Sequence, residues 1–193
     1  MITQTLIPAL SFVSHAAATK DIRDYLNGVL FEVESQDSLT LVSCDGHRLA
    51  KCTITQEHAI DPGQYIVPIQ FVKELIRDFK PKARQTDTPI SITWNDNQLH
   101  FSNASRSAST ACIDGKYPDY QRIIPTDEPV LGAIGFNALF LEQAGKAAKV
   151  ITADGYNAIR LIGRGLESSL IEVVNPISDI ESAFVVVMPV KLS

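Results

Sequence analysis

The sequence predicts an α+β fold in which a β-α-β-β-β unit occurs three times. Apolar residues recur at helical spacing in three stretches, and about 60 residues separate one stretch from the next. Three short apolar-rich runs follow each stretch, with turn residues between them. The chain has 193 residues, of which 45% are hydrophobic, so it can bury a core large enough for such a fold.

In the first unit we predict an extended segment over residues 2–6, a helix over 8–18, and strands over 26–34, 39–44 and 48–54. Pro8 suits the first turn of a helix, and the apolar residues that follow at helical spacing are Ala9, Phe12, Val13, Ala16 and Ala17. Asp45-Gly46 lies between the last two strands. This pair is typical of a hairpin tip, because glycine reaches positive φ without steric cost.

The second and third units repeat this order. The second has a predicted strand over 64–68, a helix that Pro81 ends, and strands over 90–94, 98–101 and 107–113. The third has strands over 131–136, 158–162, 170–174 and 184–190. The helical faces are Val72, Leu75, Ile76 and Phe79 in the second unit, and Leu139, Phe140, Gln143, Ala144 and Ala147 in the third. The linker-like run Thr126-Asp127-Glu128-Pro129 predicts a two-unit domain over 1–126 and a half domain over 127–193.

Composition favours a cytoplasmic protein without a metal or cofactor. The net charge is −5, and neither a leader segment nor a membrane-spanning apolar run is found. Three cysteines, Cys44, Cys52 and Cys112, lack the spacing of a zinc site or a disulfide framework, so we expect reduced thiols. Cys44 and His47 lack the third group that a nucleophilic pair needs, and no phosphate-binding loop occurs, so we expect no enzyme.

Two groups of polar residues stand out. His47 and Arg48 follow the hairpin tip beside apolar residues, which gives a polar rim next to an apolar floor where a short peptide could dock. The second group is cationic. Three cations at spacings i, i+4 and i+7 lie on one face of the second helix, and two more follow this helix. Two lie on the third helix, and one ends the first helix. They are Lys73, Arg77, Lys80, Lys82, Arg84, Lys146, Lys149 and Lys20. A solvated helix face with Glu74 and Asp78 as pairing partners is the alternative.

Five motifs, in this order, resemble the bacterial DNA polymerase III β sliding clamp family. They are Asp21-Ile22-Arg23; Tyr25-Leu26-Asn27-Gly28; Asp45-Gly46-His47-Arg48-Leu49-Ala50; Asp114-Gly115-Lys116-Tyr117-Pro118-Asp119-Tyr120 with Arg122; and Val186-Val187-Met188-Pro189-Val190-Lys191-Leu192. Residues 9–125 resemble the family's middle domain, and residues 134–192 resemble the second half of its last domain.

The resemblance implies a DNA clamp fold, with helices lining a ring and sheets outside. It implies a processivity factor that encircles duplex DNA without reading its sequence, tethers a DNA polymerase and other replication proteins, and is loaded in some cases by a clamp loader. The cations above would then face the DNA. The residues matching the family's peptide-binding groove are Leu26, Cys44, Gly46, His47, Arg48, Leu49, Pro118, Arg122, Ile123, Asn137, Phe140, Val186, Val187, Met188 and Pro189. Each apolar residue among these could instead be ordinary core.

The chain departs from the family in length and at particular residues. Cys44 stands where the family has a small hydroxyl residue, Phe140 where it often has tyrosine, and Lys191 where it has arginine. A family ring contains twelve units, so four chains of three units would close a homotetrameric ring. We expect third units to pair with each other, and the open edge of each first unit to pair with another first unit. The alternative is an adaptor or decoy that binds clamp-binding peptides without encircling DNA.

Overall fold

The structure, a computed structural model, describes residues 5–55, 60–80, 89–96, 98–126, 128–129, 132–153, 156–165 and 167–191. The helices are α1 (Leu6–Val13), α2 (Ile69–Phe79) and α3 (Ala138–Ala148), and 3-10 turns cover Ser14–Ala16, Asp24–Asn27 and Tyr120–Ile123. The strands are β1 (Gly28–Ser35), β2 (Ser38–Cys44), β3 (Arg48–Thr55), β4 (Gly63–Pro68), β5 (Ser91–Asn95), β6 (Gln98–Ser102), β7 (Ser107–Ala111), β8 (Ile159–Ile162), β9 (Ser169–Val173) and β10 (Ile180–Val187).

The strands form one large sheet and one small sheet. The large sheet has seven antiparallel strands in the order β4-β1-β2-β3-β10-β9-β8, and the small one has the order β5-β6-β7. The large sheet therefore crosses the predicted boundary between residues 126 and 127, because β3 of the first unit pairs with β10 of the third.

Each face of the large sheet buries a different apolar cluster. Alternate side chains such as Phe31 and Val185 point to the inner face, where they pack with residues of α1, α2 and α3 in the main core. The intervening residues, such as Leu49 and Val186, point to the outer face and pack with Tyr117 and Tyr120 in a second cluster, the outer cluster. On the inner side α1 contacts both α2 and α3, so the three helices form one layer.

The α+β class and the threefold order of one helix followed by three strands are confirmed, and several bounds differ from the predictions. The first helix begins at Leu6 and ends at Val13, and a 3-10 turn takes the place of its predicted last part. Leu26 also lies in a 3-10 turn rather than in β1. The last strand begins at Ile180 rather than at residue 184, because Glu181 and Ser182 interrupt the apolar pattern that marks a strand in the sequence. It ends at Val187, before Pro189, which has no N–H to donate to a neighbouring strand.

Two predicted strands cannot be compared in full. Residues 2–4 and 131 lie outside the described part of the chain. Within residues 132–136 the segment makes only an isolated bridge from Gly135 to Val190, so the predicted strand over 131–136 is wrong for its described part. A strand needs a neighbour along its length, and no described strand lies beside this segment.

The expectation that first units join through an open sheet edge is wrong. β3, the last strand of the first unit, pairs along its length with β10 of the same chain, so its edge is already used. β1 is likewise covered by β4 of the second unit. The first unit therefore lies between the second and third units. The outermost strands are β7 of the second unit and β8 of the third, and no described strand lies beyond either.

No helix among the described residues is long and apolar enough to cross a membrane.

The stability of the helix layer should depend on pH through His15, which lies between α1 and α3. Burial, and to a smaller extent the positive charge of Arg48, lowers the pKa of His15 from 6.5 to about 4. Between pH 6.5 and about 4 the His15 ring is protonated in the unfolded chain but stays neutral in the folded chain. The free energy of unfolding therefore decreases as the pH falls from 6.5 towards 4. We expect urea unfolding at fixed protein concentration to show a free energy about 2 kcal/mol smaller at pH 5 than at pH 7.

The His15→Gln variant serves as the control, because glutamine does not titrate in this range. Its unfolding free energy should change by less than about 0.5 kcal/mol between the two pH values. An equal change in the variant and the parent chain would assign the pH dependence to other groups.

Candidate functional site

The turn between β2 and β3 fixes the direction of His47 and Arg48. The Asp45 Oδ1 atom accepts hydrogen bonds from the backbone N–H of His47 at 2.9 Å and of Arg48 at 3.1 Å. Gly46 adopts φ +90°, and a Cβ added there would lie 3.3 Å from the Arg23 Nη2 atom. The predicted hairpin tip is confirmed in its position and its need for glycine.

Arg48 joins the first unit to the third. Its Nε lies 3.0 Å from the Asp45 Oδ2 atom, and its Nη1 donates a hydrogen bond to the Gln143 side chain on α3. Its guanidinium carbon lies 4.7 Å from the centre of the Phe140 ring. With only 10% of its side chain exposed, Arg48 is held in place beside Phe140 by these contacts.

Residues of the third unit complete an exposed surface beside this contact. The His47 ring stacks on Phe140 with ring centres 6.5 Å apart, and the Met188 N–H donates to the His47 carbonyl at 3.1 Å. Asn137 caps α3, because its Oδ1 accepts from the Leu139 N–H at 3.0 Å. We call this area the seam surface and define it by its exposed or half-exposed residues, which are Gly46, His47, Asn137, Phe140, Met188 and Pro189.

A second part of the predicted groove lies on the segment that covers the outer cluster. Pro118, Arg122 and Ile123 are exposed there, and the Arg122 Nε atom lies 2.7 Å from the Asp119 Oδ2 atom. The Ser168 hydroxyl donates to the Ile123 carbonyl at 3.0 Å, which ties this segment to the third unit. Buried Tyr117 and Tyr120 join it to Leu49 and Val186 underneath.

The buried members of the predicted groove support this surface from below. Leu26, Leu49 and Val186 are almost fully buried, so they would shape the floor without touching a ligand that docks on the surface as it stands. Cys44 packs against the outer cluster, and burial raises the pKa of its thiol, while the Gly46 N–H donates to its Sγ atom at 3.3 Å. A thiol with a raised pKa is a poor nucleophile.

One predicted groove residue lies elsewhere, and three residues near the surface were missed. Val187 points to the inner face and is fully buried in the main core, because side chains alternate along β10. Val187 therefore lies apart from the other predicted groove residues, and its place in the groove stays a prediction. The missed residues are Gln143, three residues after Phe140 on α3, Arg23, which approaches Gly46, and Val190, which is 44% exposed after Pro189. Helical spacing could have indicated Gln143.

The predicted cationic residues that the structure describes are all exposed. Lys73 and Arg77 lie on α2, Lys146 lies on α3, and Lys80 and Lys149 follow directly after these helices. Lys20 is exposed in the segment after α1, and Lys82 and Arg84 lie outside the described residues. The Arg77 Nε atom is 2.8 Å from the Asp78 Oδ1 atom, and Lys146 Nζ is 2.6 Å from the Glu142 Oε1 atom. The Arg77 hydrogen bond lowers the pKa of Asp78.

The α2 and α3 side of the helix layer is cationic although the chain is acidic. Five cations, from Lys73, Arg77, Lys80, Lys146 and Lys149, outnumber the three carboxylates of Glu74, Asp78 and Glu142, which leaves a net charge of +2. The whole chain carries −5, so the remainder carries −7. A separation of charge of this size would direct a polyanion to the helix layer rather than to the sheets.

Residues 1–119 match the family model described as "DNA polymerase III beta subunit, central domain". The chain belongs to this family. Its similarity to whole clamps extends further along the chain. The beta sliding clamp of Pseudomonas putida strain KT2440 is 34% identical over 154 residues, which cover 77% of this chain and 39% of the relative. The beta sliding clamp of Escherichia coli K12 is 31% identical over 156 residues, covering 81% and 40%.

Solved clamps have the same fold over nearly the whole chain. A DnaN sliding clamp from Bartonella birtlesii bound to griselimycin matches with a TM-score of 0.76 at 20% identity, covering 97% of this chain and 64% of that one. The DNA polymerase III beta subunit of Thermotoga maritima matches with a TM-score of 0.69 at 19% identity, covering 100% and 66%. The chain spans about two fifths of the length of the curated clamps that it matches.

Proposed function

We propose that this chain is a sliding clamp that surrounds duplex DNA and holds partner proteins through a peptide bound at the seam surface. The observation that carries the proposal is the continuous large sheet, which has a cationic helix layer on one side and the seam surface where its two parts join. Membership of the DNA polymerase III beta subunit family supports the same function.

The helix layer suits DNA held without regard to sequence. Its described cations are exposed lysine and arginine side chains on and just after helices, which contact phosphates as point charges and leave the bases unread. Such contacts release counterions and allow the protein to move along the duplex. The carboxylates of Asp78 and Glu142 compete for two of the cations, which would weaken each contact and favour sliding over fixed binding.

The seam surface suits a short peptide with apolar side chains. Met188 is 45% exposed, and its N–H donates to the carbonyl of His47, whose ring stacks on Phe140. A peptide's apolar side chain can bury Met188, and the flexible thioether adapts to different partners. Ile123, at 42% exposed, offers a further apolar contact on the neighbouring segment. The solved relative from Bartonella birtlesii is bound to griselimycin, and we propose this compound as a first ligand to try with this chain.

A ring requires several copies of the chain. Each chain contributes three units in the spatial order second, first, third, because β4 and β10 flank the strands of the first unit. Four chains would supply twelve units, joined alternately between third units at β8 and between second units at β7. The β7 join would repeat the pairing of β3 with β10, since each is the last strand of its unit.

The adaptor function remains the second candidate, and one observation favours it. One chain supplies the seam surface from both its first and its third unit, through contacts such as Arg48 with Phe140 and Met188 with His47. A peptide could therefore bind to a chain that forms no ring. The cationic helix layer, which an adaptor does not need, favours the clamp.

Retention on circular DNA distinguishes the two functions. The assembled protein is incubated with a closed circular plasmid and separated by gel filtration, and half of the sample is cut once with a restriction enzyme. An encircling clamp should stay with the circle and leave the linear product, because only the linear form has ends. Equal loss from both forms, with peptide binding intact, would contradict encirclement and support the adaptor.

A further inference from the structure

The large sheet is nearly symmetric about its middle, and the symmetry fails at one end. From the β3–β10 pair outward, the order is β3-β2-β1 on one side and β10-β9-β8 on the other, with antiparallel pairing throughout. Beyond β1 lies β4, which the second unit contributes. Beyond β8 no described strand is present, so the sheet has seven strands where its symmetry calls for eight.

The side chains of β8 show what this missing neighbour leaves uncovered. Val29 and Phe31 of β1 point to the inner face beside β4 and are 0% exposed. Ile159 and Leu161 of β8 also point to the inner face, because they pair with core residues of β9, yet they are 41% and 51% exposed. β8 is therefore an apolar edge strand, which proteins normally cover or pair.

The backbone of β8 can accept another strand. The Ala158 carbonyl accepts from the Val174 N–H at 2.9 Å, so Ala158 faces β9 with its hydrogen-bonding groups. Directions alternate along an antiparallel strand, so Arg160 and Ile162 also face β9. The N–H and C=O groups of Ile159 and Leu161 consequently point to the open edge.

The chain also carries a segment of the kind that would fill this place. In the second unit, β4 runs directly into α2, crosses to the first unit and pairs with β1. The corresponding segment of the third unit is 132–137, which runs directly into α3. The two helices begin 69 residues apart, at Ile69 and Ala138, and Ile66 and Gly135 are also 69 residues apart. The Ile66 carbonyl accepts a hydrogen bond from the Ile113 N–H at 2.8 Å, and the Gly135 carbonyl accepts one from the Val190 N–H at 2.8 Å.

The contact with Val190 leaves the other side of this segment available. Because Gly135 directs its carbonyl towards Val190, the N–H and C=O groups of Ile134 and Phe136 point the opposite way. In β4 the same side is the one that pairs with β1. Each chain thus carries a segment that can add to a sheet edge, residues 132–137, and an open edge that can receive such a segment, β8. We call them the donor segment and the acceptor strand.

We propose that two copies of this chain exchange strands at their third units, with segment 132–137 of each copy pairing antiparallel to β8 of the other. A two-fold axis makes the exchange reciprocal, so both open edges close at once and both large sheets gain an eighth strand. A second copy is the occupant because each chain carries both halves of the pairing, and β4 with β1 gives the pattern within the chain itself. The exchange would complete the half domain formed by the third unit. The pairing itself does not require a ring, and only its role in closing a ring rests on the proposed function.

The test measures the mass of the full chain by light scattering after gel filtration over a range of concentrations. Leu161→Pro removes an N–H that points to the open edge without touching the β8–β9 ladder, and Ile134→Pro removes one from the donor segment. Each variant should assemble at least about 100-fold more weakly, because a proline in each of the two pairings removes a backbone hydrogen bond and displaces the facing strand, and it should run at half the parent mass. Leu161→Val and Ile134→Val keep the N–H and should retain the parent mass.

Mixing the two proline variants tests exchange specifically. The proline ring also pushes the facing strand away, so one proline disrupts its whole pairing. Each variant alone has a proline in both pairings. A mixed pair of Leu161→Pro and Ile134→Pro chains has both prolines in one pairing and keeps the other intact, so it should assemble more tightly than either variant alone. Ile159→Lys, which keeps the whole backbone, gives a second disruption should a proline variant fail to fold. A parent chain that stays monomeric, full mass in both proline variants, or no recovery on mixing folded variants would overturn the proposal.

The outcomes separate this inference from the proposed function. A chain that pairs through its third units but leaves circular and linear DNA equally would overturn the clamp and keep the exchange. A chain that is retained on circles while both proline variants keep full mass would overturn the exchange and keep the clamp.

Discussion

Met188→Lys should weaken binding of a clamp-binding peptide by about 30-fold to 1,000-fold and leave the fold unchanged. Met188 is 45% exposed, and only its backbone N–H takes part in a described hydrogen bond, to the His47 carbonyl. The lysine side chain therefore fits sterically but places a charge where the peptide would bury an apolar group. Central contacts of this kind contribute about 2–4 kcal/mol to binding. Fluorescence anisotropy with a labelled clamp-binding peptide from a bacterial replicative polymerase measures the loss.

The matched control is Val150→Lys. Val150 follows α3 and is 47% exposed, so the variant makes the same change of charge at a similar exposure away from the seam surface. Its peptide affinity should equal that of the parent chain. Parent-like affinity in Met188→Lys, or an equal loss in both variants with native circular dichroism, would contradict the assignment of Met188 to the peptide site.

Reversing two charges on α2, with Lys73→Glu and Arg77→Glu together, should weaken DNA binding by about 100-fold at low salt. Both side chains are exposed on the cationic face, and Arg77 keeps 70% of its side chain exposed despite its contact with Asp78. Each lost phosphate contact lowers the slope of log affinity against log salt by about 0.9, so we expect a decrease of about 2 per chain. Titration of a fluorescent duplex at several salt concentrations measures both quantities.

A control with the same net charge separates position from total charge. Lys51→Glu with Lys116→Glu makes an identical change on the other side of the molecule, where Lys51 lies over the Phe184 ring on the outer face and Lys116 belongs to the covering segment. This pair should lose little DNA affinity and keep the salt slope. Equal losses in the two double variants would indicate a general effect of net charge and contradict a DNA surface on the helix layer.

Local features of the chain were predicted well from sequence. The Asp45-Gly46 tip, the strands on either side of it and the α2 helix follow from turn chemistry and from the period of apolar residues, which act over a few neighbours. The exposure of Lys73 and Arg77 follows from the same period, because residues opposite the buried Val72 and Leu75 must face solvent. The family resemblance placed His47, Phe140 and Met188 in one site, and these residues do contact one another in sequence-distant pairs.

Other features depended on contacts that no local pattern encodes. Val187 was placed in the groove although it faces the core, because its direction follows from the register of β10 on β3 rather than from its position in a motif. Arg48 was predicted as a groove residue, and its sequence position did not show that Asp45, Phe140 and Gln143 hold its side chain. Charge pattern alone does not show which partner an arginine will meet.

The three helices, the hairpin tip and the cations on one helix face could be inferred from the sequence, because propensity, turn residues and periodicity are local properties. Which sheet edges meet became clear only from the folded arrangement. The β3–β10 pairing, the crossing of β4 to β1 and the open edge of β8 join residues that are far apart in the chain. Backbone groups pair equally well with any strand, so the choice among edges depends on how the units pack as a whole.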